Sequence, residues 1–305
     1  MKKIKIIIIL LLLFSVTNAQ QDAMFTHYMY NTQWVNPAYA GTREALTITG
    51  INRSQWVGYD GAPVDQSFTM NMPIAQNKAG IGLSILNDKI GPAKNTLLAL
   101  DFSYHVRLDR KSKLSFGLKG LIDFYRNNMA LLNVSQQNDA AFAQNINQIS
   151  NNLGAGLYYH HDRFYIGIST PRLIEYKAQS GMVQEKRHFY FITGALFPMN
   201  DDIIFKPTLF LKETMGAPIQ ADLTGSFVIK SKYNVGLMYR TGDALGILLG
   251  YSVSEKLYLG YSFDWSVMNT TGKYNSGSHE IMFRYDIKMN LKPRSNSNYK
   301  LYEKF

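Results

Sequence analysis

From residue 44 to residue 288 apolar and polar positions alternate with a period of two. Ile219, Ala221, Leu223, Gly225, Phe227 and Ile229 fall on one face of a segment, and Gln220, Asp222, Thr224 and Ser226 on the other. Leu257, Leu259, Tyr261, Phe263 and Trp265 oppose Tyr258, Gly260, Ser262 and Asp264 in the same way. Leu114, Phe116, Leu118 and Ile122 oppose Ser115, Lys119 and Asp123, and Ile281, Phe283, Tyr285 and Ile287 oppose Met282, Arg284 and Asp286. Such alternation is the mark of a strand with one apolar and one polar face. It predicts fourteen strands, near 44–53, 65–73, 79–86, 95–107, 113–125, 152–160, 163–169, 188–197, 203–213, 219–229, 232–240, 244–253, 256–266 and 277–288. Most have about the 9–11 residues that cross a bilayer when tilted.

The connections sort by parity. One set is short throughout: 74–78, 108–112, 161–162, 198–202, 230–231 and 254–255. The other contains every long one: 54–64, 126–151, 170–187 and 267–276. Short periplasmic turns and long outer loops are the pattern of transmembrane barrels, and an even strand count puts both ends of the barrel in the periplasm. The expected fold is all-β: an antiparallel transmembrane β-barrel of about 14 strands over 44–288. Tyr239 and Trp265 then fall near the outer interface, and Tyr104, Tyr233, Tyr251 and Tyr285 near the inner one, where aromatic rings anchor barrels.

The chain ends divide off by composition. Lys2, Lys3 and Lys5, the apolar run Ile6 to Val16, and Thr17-Asn18-Ala19 read as a signal peptide over 1–19, too short to span a membrane. Residues 20–43 carry Phe25, Tyr28, Tyr30, Trp34 and Tyr39, too many aromatics for a free tail. With Pro37, these mark a segment expected to plug the barrel or lie under its periplasmic mouth. Residues 289–305 form a basic tail. Of a mature charge of +7, residues after Ile287 hold +4, so the body is nearly balanced. The tail could meet an acidic partner or lipid headgroups, or be a solvated end. Nucleic-acid binding does not fit so dispersed a charge on an exported chain.

The polar strand face is expected to fill the lumen with Asp101, Asp123, Asp222, Asp264 and Asp286 set among Arg107, Lys119, Lys206, Lys212, Arg240 and Arg284. Interspersed signs point to ion pairs rather than a charge-selective pore. No catalytic, cofactor or metal constellation emerges, and no catalytic residue is assigned. The chain has no cysteine. The histidines lack a metal-binding spacing, and His160-His161 falls in a predicted turn, where a solvated pair is expected. Ser278-His279-Glu280 cannot form a triad by itself, because neighbouring strand residues point to opposite faces. Gly154-Ala155-Gly156 reads as strand packing rather than a nucleotide loop.

Several motifs are more specific than the periodicity. They are Asn36-Pro37-Ala38-Tyr39-Ala40-Gly41, Arg53-Ser54-Gln55-Trp56-Val57-Gly58 with Gly61-Ala62-Pro63, and Asn87-Asp88-Lys89-Ile90-Gly91-Pro92. Leu114-Ser115-Phe116-Gly117-Leu118-Lys119, Lys206-Pro207, Gly216-Ala217-Pro218 and Tyr239-Arg240-Thr241-Gly242-Asp243-Ala244 follow. Gly260-Tyr261-Ser262 and Ser276-Gly277-Ser278-His279-Glu280-Ile281-Met282 complete the series. In this order and spacing the chain resembles the PorP/SprF family of outer-membrane proteins linked to the Bacteroidetes type IX secretion system. The resemblance implies a fourteen-stranded barrel, related in architecture to long-chain fatty-acid transporters, with a non-enzymatic role in secretion or surface attachment of large adhesins and, in some members, gliding motility. The implied partners are a large secreted adhesin with a C-terminal sorting domain, components of the secretion machine, and outer-membrane lipid.

Three motifs fall in predicted outer connections. Their candidate partner-binding residues are Arg53, Gln55 and Trp56, then Asp88 and Lys89, then Arg240 and Asp243. Trp and Arg are favoured at binding hot spots. The competing reading is that these loops fold inward and cap the barrel, with Arg53 or Arg240 paired to Asp60, Asp88 or Asp243. A second function class, an outer-membrane channel for a hydrophobic small molecule gated by the plug, is also open on these residues. So is a purely structural anchor for periplasmic machine components.

Overall fold

The computed structural model describes residues 23–128, 145–177, 184–215, 217–267 and 276–289. The expected signal peptide over 1–19, the start of the 20–43 segment, most of the 126–151 loop and the basic tail beyond Met289 lie outside the described residues.

Fourteen antiparallel strands close into a barrel. They are β1 (Ala45–Ser54), β2 (Val64–Ile74), β3 (Ala79–Ile90), β4 (Ala93–Arg107), β5 (Ser112–Asn127), β6 (Ile146–His161) and β7 (Phe164–Thr170). Then come β8 (His188–Ala195), β9 (Ile203–Thr214), β10 (Gln220–Ile229), β11 (Tyr233–Arg240), β12 (Ala244–Ser252), β13 (Leu257–Ser266) and β14 (Ser278–Lys288). Each pairs with its neighbours in sequence, and β14 returns to β1, with Ala45 opposite Lys288. A two-residue stub, Phe197–Pro198, prolongs β8 along β9. Closure leaves no free edge strand in the sheet, which is what a barrel needs to sit in lipid. No helix among the described residues is long and apolar enough to cross a membrane.

The period-two pattern becomes an inside and an outside. Leu100, Leu118 and Leu237 point outward and are 64–68% exposed, whereas their strand neighbours Asp101, Lys119 and Met238 are buried. Tyr104, Tyr233, Tyr251, Tyr285 and Trp265 also face outward. One mouth has the short connections, such as 75–78, 108–111 and 162–163; the other has 55–63, 128–145, 171–187 and 267–277. By that asymmetry the second mouth is the outer one.

Three boundaries differ from the pattern in the sequence. β6 begins at Ile146, six residues before the predicted start, because Ile146–Asn151 pairs along the rising end of β5 although its composition is amide-rich. β3 continues to Ile90, so Asn87-Asp88-Lys89 is strand rather than loop. Gly91, at φ 54°, and Pro92 alone make the turn to β4. His160 is not solvated: β6 runs through it, and alternation turns it inward, where it lies edge-on to Tyr158.

Candidate functional site

Residues 23–44 run the height of the barrel interior. They enter at the outer mouth, beside Asp264 and Glu280, and leave at the periplasmic mouth, where Gly41 packs on Met72, Pro73 and Gly80. The segment is three short turns, Tyr28–Tyr30, Thr32–Val35 and Pro37–Tyr39. The last is written in its sequence. The Asn36 carboxamide accepts from the Ala38 N–H at 3.0 Å, and Pro37 occupies the first helical position, where a missing N–H costs nothing. Phe25, Tyr28, Pro37 and Tyr39 are buried; Trp34 is partly buried, and Lys119 Nζ lies 5.5 Å from its ring.

The wall meets this segment in two ways. On β3, β5, β6 and β7 inward positions are glycine. A Cβ at Gly117 would lie 2.1 Å from the Ala38 nitrogen, one at Gly156 2.2 Å from Asn36 Oδ1, and one at Gly80 2.2 Å from the Ala40 oxygen. The absent side chains allow backbone to lie against backbone. Asn36 then donates to the Leu157 carbonyl at 2.9 Å, and Ser103 Oγ to the Ala40 carbonyl at 2.6 Å. Gln33 donates to Asp101 at 3.1 Å and accepts from Asn71 at 2.9 Å.

On β1 and β9–β14 the wall is polar and charged. Glu280 accepts the Thr26 and His27 N–H groups at 2.8 Å each, and its carboxylate is 2.7 Å from His27 Nδ1. Arg53 donates to Asp264 at 2.6 Å and to Glu280 at 3.3 Å. Tyr30 sits among Lys206, 4.4 Å from its ring, Arg284, and the side chains of Asn234 and Tyr258, both of which donate to its hydroxyl. At the periplasmic end Arg43 pairs with Asp286 at 3.0 Å and Glu44 with Lys113.

Of the expected lumen charges, Asp101, Lys119, Asp123, Lys206, Lys212, Asp222, Asp264 and Arg284 are buried inside. Arg107 is not: as the last residue of β4 it reaches past the packed interior and is exposed at the rim. Lys119 pairs with Asp101 at 3.1 Å, Arg240 with Asp222 at 2.8 Å, and Arg172 with Asp123 at 3.5 Å. The last pair brings the β7–β8 connection inward over Trp34. Two cavities beside the segment hold about 20 Å³ each, roughly one water apiece.

Above this packed interior lies an open vestibule of about 570 Å³ whose floor is Ala23 and Met24. Six candidate residues line it: Arg53, Gln55, Trp56, Asp88, Arg240 and Asp243. Lys89 does not; it is exposed on the opposite face of β3 from Asp88. Pro63, Ala217, Pro218, Gly242 and Ser278 complete much of the rim, so motifs far apart in the chain meet here. Local bonds shape it. Trp56, with φ 46°, donates its N–H to Ser278 Oγ at 3.3 Å; the loop then pairs Val57 with Gly277 and Ser276, and Gly91 N–H reaches the Gly61 carbonyl at 2.9 Å.

Arg53 and Arg240 are capped from within, but by other carboxylates than Asp60 or Asp88. Arg53 takes Asp264 and Glu280, while Arg240 takes Asp222 and, at 3.7 Å, Asp243. Gln55 donates to Asp65 at 2.9 Å. Residue-by-residue reading missed Glu280, Gln33, Thr26 and Asp65. Glu280 had a signal, since it shares the inward parity of Met282, Arg284 and Asp286. His279 points outward to the Tyr261 hydroxyl, 2.8 Å away, so Ser278, His279 and Glu280 do not converge. Among the described residues no group of three or more His, Asp or Glu side chains is placed to hold a metal ion.

An antiparallel barrel of fourteen strands with charged side chains inside is the architecture of an outer-membrane protein. The model of the type IX secretion system membrane protein family PorP/SprF matches residues 17–285, and the chain belongs to that family. The match stops short of the basic tail. No curated protein matches the chain in sequence. Among solved structures it is similar to the CymD monoaromatic hydrocarbon channel, with 11% identity, 85% of this chain and 93% of that one covered, and a TM-score of 0.49. It is also similar to the Ralstonia pickettii toluene transporter TbuX, with 10% identity, 84% and 93% covered, and a TM-score of 0.47. A third is the Acinetobacter baumannii outer membrane protein Omp33, with 8% identity, 81% and 100% covered, and a TM-score of 0.46.

Proposed function

We propose that this chain is a non-enzymatic docking barrel of the outer membrane. In this reading it receives a large secreted adhesin, through the adhesin's C-terminal sorting domain, at the outer vestibule. Its periplasmic rim links it to other components of the secretion machinery, and residues 23–44 act as a permanent plug. The observation that carries the reading is the convergence of the motif loops. Arg53, Gln55, Trp56, Pro63, Asp88, Ala217-Pro218, Arg240 to Ala244 and Ser278 form one concave surface at the mouth with the long connections. Below that surface the interior is occupied by residues 23–44 and the side chains packed against them. A surface with aromatic and proline walls and charges of both signs suits a folded polypeptide better than a small apolar solute.

The alternative, a channel for hydrophobic small molecules, needs a continuous apolar path. The interior around the plug offers ion pairs and cavities of about 20 Å³. Its support is the barrel architecture and an apolar concavity of about 870 Å³ among outward side chains such as Phe102, Phe116, Ile168 and Phe189.

Trp56→Ala tests the docking reading. The expected result is a marked fall in adhesin on the surface of intact cells, with the amount of folded, heat-modifiable barrel unchanged. Unchanged display with Trp56→Ala and with Asp243→Arg would overturn it.

A further inference from the structure

The course of residues 23–44 fixes where the start of the folded chain must lie. β1 begins at the periplasmic mouth, with Ala45 opposite Lys288. Residues 23–44 have already crossed the interior by then, so Ala23 and Met24 are at the other end, as the floor of the outer vestibule. Below them the space is taken by Phe25, Thr26 and His27, all buried. The way on from Ala23 is the vestibule. Cleavage after Ala19, the expected end of the signal peptide, leaves Gln20, Gln21 and Asp22 before Ala23. Three extended residues reach about 10 Å, on the order of the width of a rounded space of about 570 Å³.

The charges of the vestibule suit that segment. Asp65 and Asp88 face each other in register across β2 and β3, and both line the vestibule. Carboxylates directly opposite one another repel. Gln55, a neutral donor, gives one hydrogen bond to Asp65 at 2.9 Å, while Arg53 directs its guanidinium to Asp264 and Glu280. Signal cleavage creates a cation of fitting size, the Gln20 α-ammonium, with three donors. Asp22 adjoins Ala23, and Lys212 lines both the vestibule and the small cavity at Ala23.

We propose that the mature N-terminus, Gln20 to Asp22, is seated in the outer vestibule, with its α-ammonium group on Asp65 and Asp88 and the Asp22 carboxylate toward Lys212. The occupant is the chain's own processed end, and processing makes the seat. An uncleaved chain has no α-ammonium at residue 20, and its apolar run Ile6 to Val16 would have to leave through the same opening. The proposal rests on the signal-peptide reading and not on docking; a docked partner would meet these residues as part of the vestibule.

The first test reads the amine. At pH 7 an α-amine is the most reactive amine of a chain, because its pKa is about 8 against about 10.4 for lysine. Two carboxylates hold it protonated, so an N-hydroxysuccinimide ester should acylate residue 20 at least about tenfold more slowly in the purified full-length barrel than in the same protein unfolded. The readout is mass spectrometry of the N-terminal peptide. Asp65→Asn with Asp88→Asn keeps both shapes and the acceptor for Gln55, and should return the rate to the unfolded value. Equal rates in the folded and unfolded native protein would overturn the proposal. A rate still slow in the double variant would place the amine elsewhere and overturn it too. So would a chain that starts at another residue, or a Gln20 closed to pyroglutamate.

The second test reads the side of the membrane. The chain has no cysteine, so Gln21→Cys provides a unique thiol, and Ser231→Cys, in the exposed turn between β10 and β11, provides a periplasmic reference. A polymer-linked maleimide that cannot cross the outer membrane should label Gln21→Cys on intact cells and Ser231→Cys after the membrane is opened. A Gln21→Cys thiol that reacts only after opening, or only after unfolding, would overturn the proposal. Neither test uses a docked partner, so failure here leaves the docking reading to its own test with Trp56→Ala.

Discussion

The two sides of the barrel hold residues 23–44 by opposite means. The β3–β7 side removes its own side chains, so the segment's backbone lies against bare wall at Gly80, Gly117 and Gly156. The other side, β1 with β9–β14, extends long charged and polar side chains that grip Thr26, His27 and Tyr30. Shape complementarity of the first kind is insensitive to salt and tolerates no added methyl group. A buried ion-pair cluster of the second kind tolerates changes of shape and fails when one charge loses its partner. The segment therefore has a fixed lateral seat and an outer end held by a few charges, next to the surface where a partner is proposed to dock.

The largest expected effect comes from breaking the charged side. Glu280→Ala leaves two backbone donors and the buried Arg53 short of an acceptor, and should cost about 3–5 kcal/mol, measured as a shift in the urea midpoint of the folded barrel in micelles. Adding Arg53→Met should deepen the loss, because it also takes the partner 2.6 Å away from the buried Asp264.

On the glycine side, Gly117→Ala should cost about 1–3 kcal/mol and expose residues 23–44 to protease, read by N-terminal sequencing of the fragments. Asp243→Asn should change stability by less than about 1 kcal/mol, since Asp243 is partly exposed and Arg240 keeps Asp222; its effect should be on display. The smallest is Gly120→Ala, the same substitution on the same strand as Gly117. A Cβ there meets nothing within 4 Å, so stability should stay within about 0.5 kcal/mol. If Gly117→Ala and Gly120→Ala behaved alike, the glycine seat would not be what holds the segment.

All fourteen strands were legible because lipid on one side and a packed polar interior on the other force a period of two on every one. Ile146–Asn151 escaped because that stretch rises above the apolar band and has no lipid-facing run to mark it. Arg107 has the inward parity of Asp101 but not its depth, since periodicity reports direction and not height along the barrel. His160 was misjudged because a turn was placed one residue too early. In the site, the motif loops could be picked out singly, and their meeting in one vestibule could not. The contacts that define the interior join residues more than 200 positions apart, such as Thr26 with Asp264 and His27 with Glu280. No local spacing encodes those pairs. Pro37 and Asn36 were the exception, because a helix cap is a local device.

The central claim is that the interior is filled and the outer surface does the work. Planar-bilayer conductance of the purified chain tests it most directly, comparing the native protein with one lacking residues 23–39. The expected result is no steady open-channel current from the native barrel and a clear increase on removal of the segment. A steady current from the native protein, unchanged by the deletion, would contradict the claim and return the barrel to the class of channels.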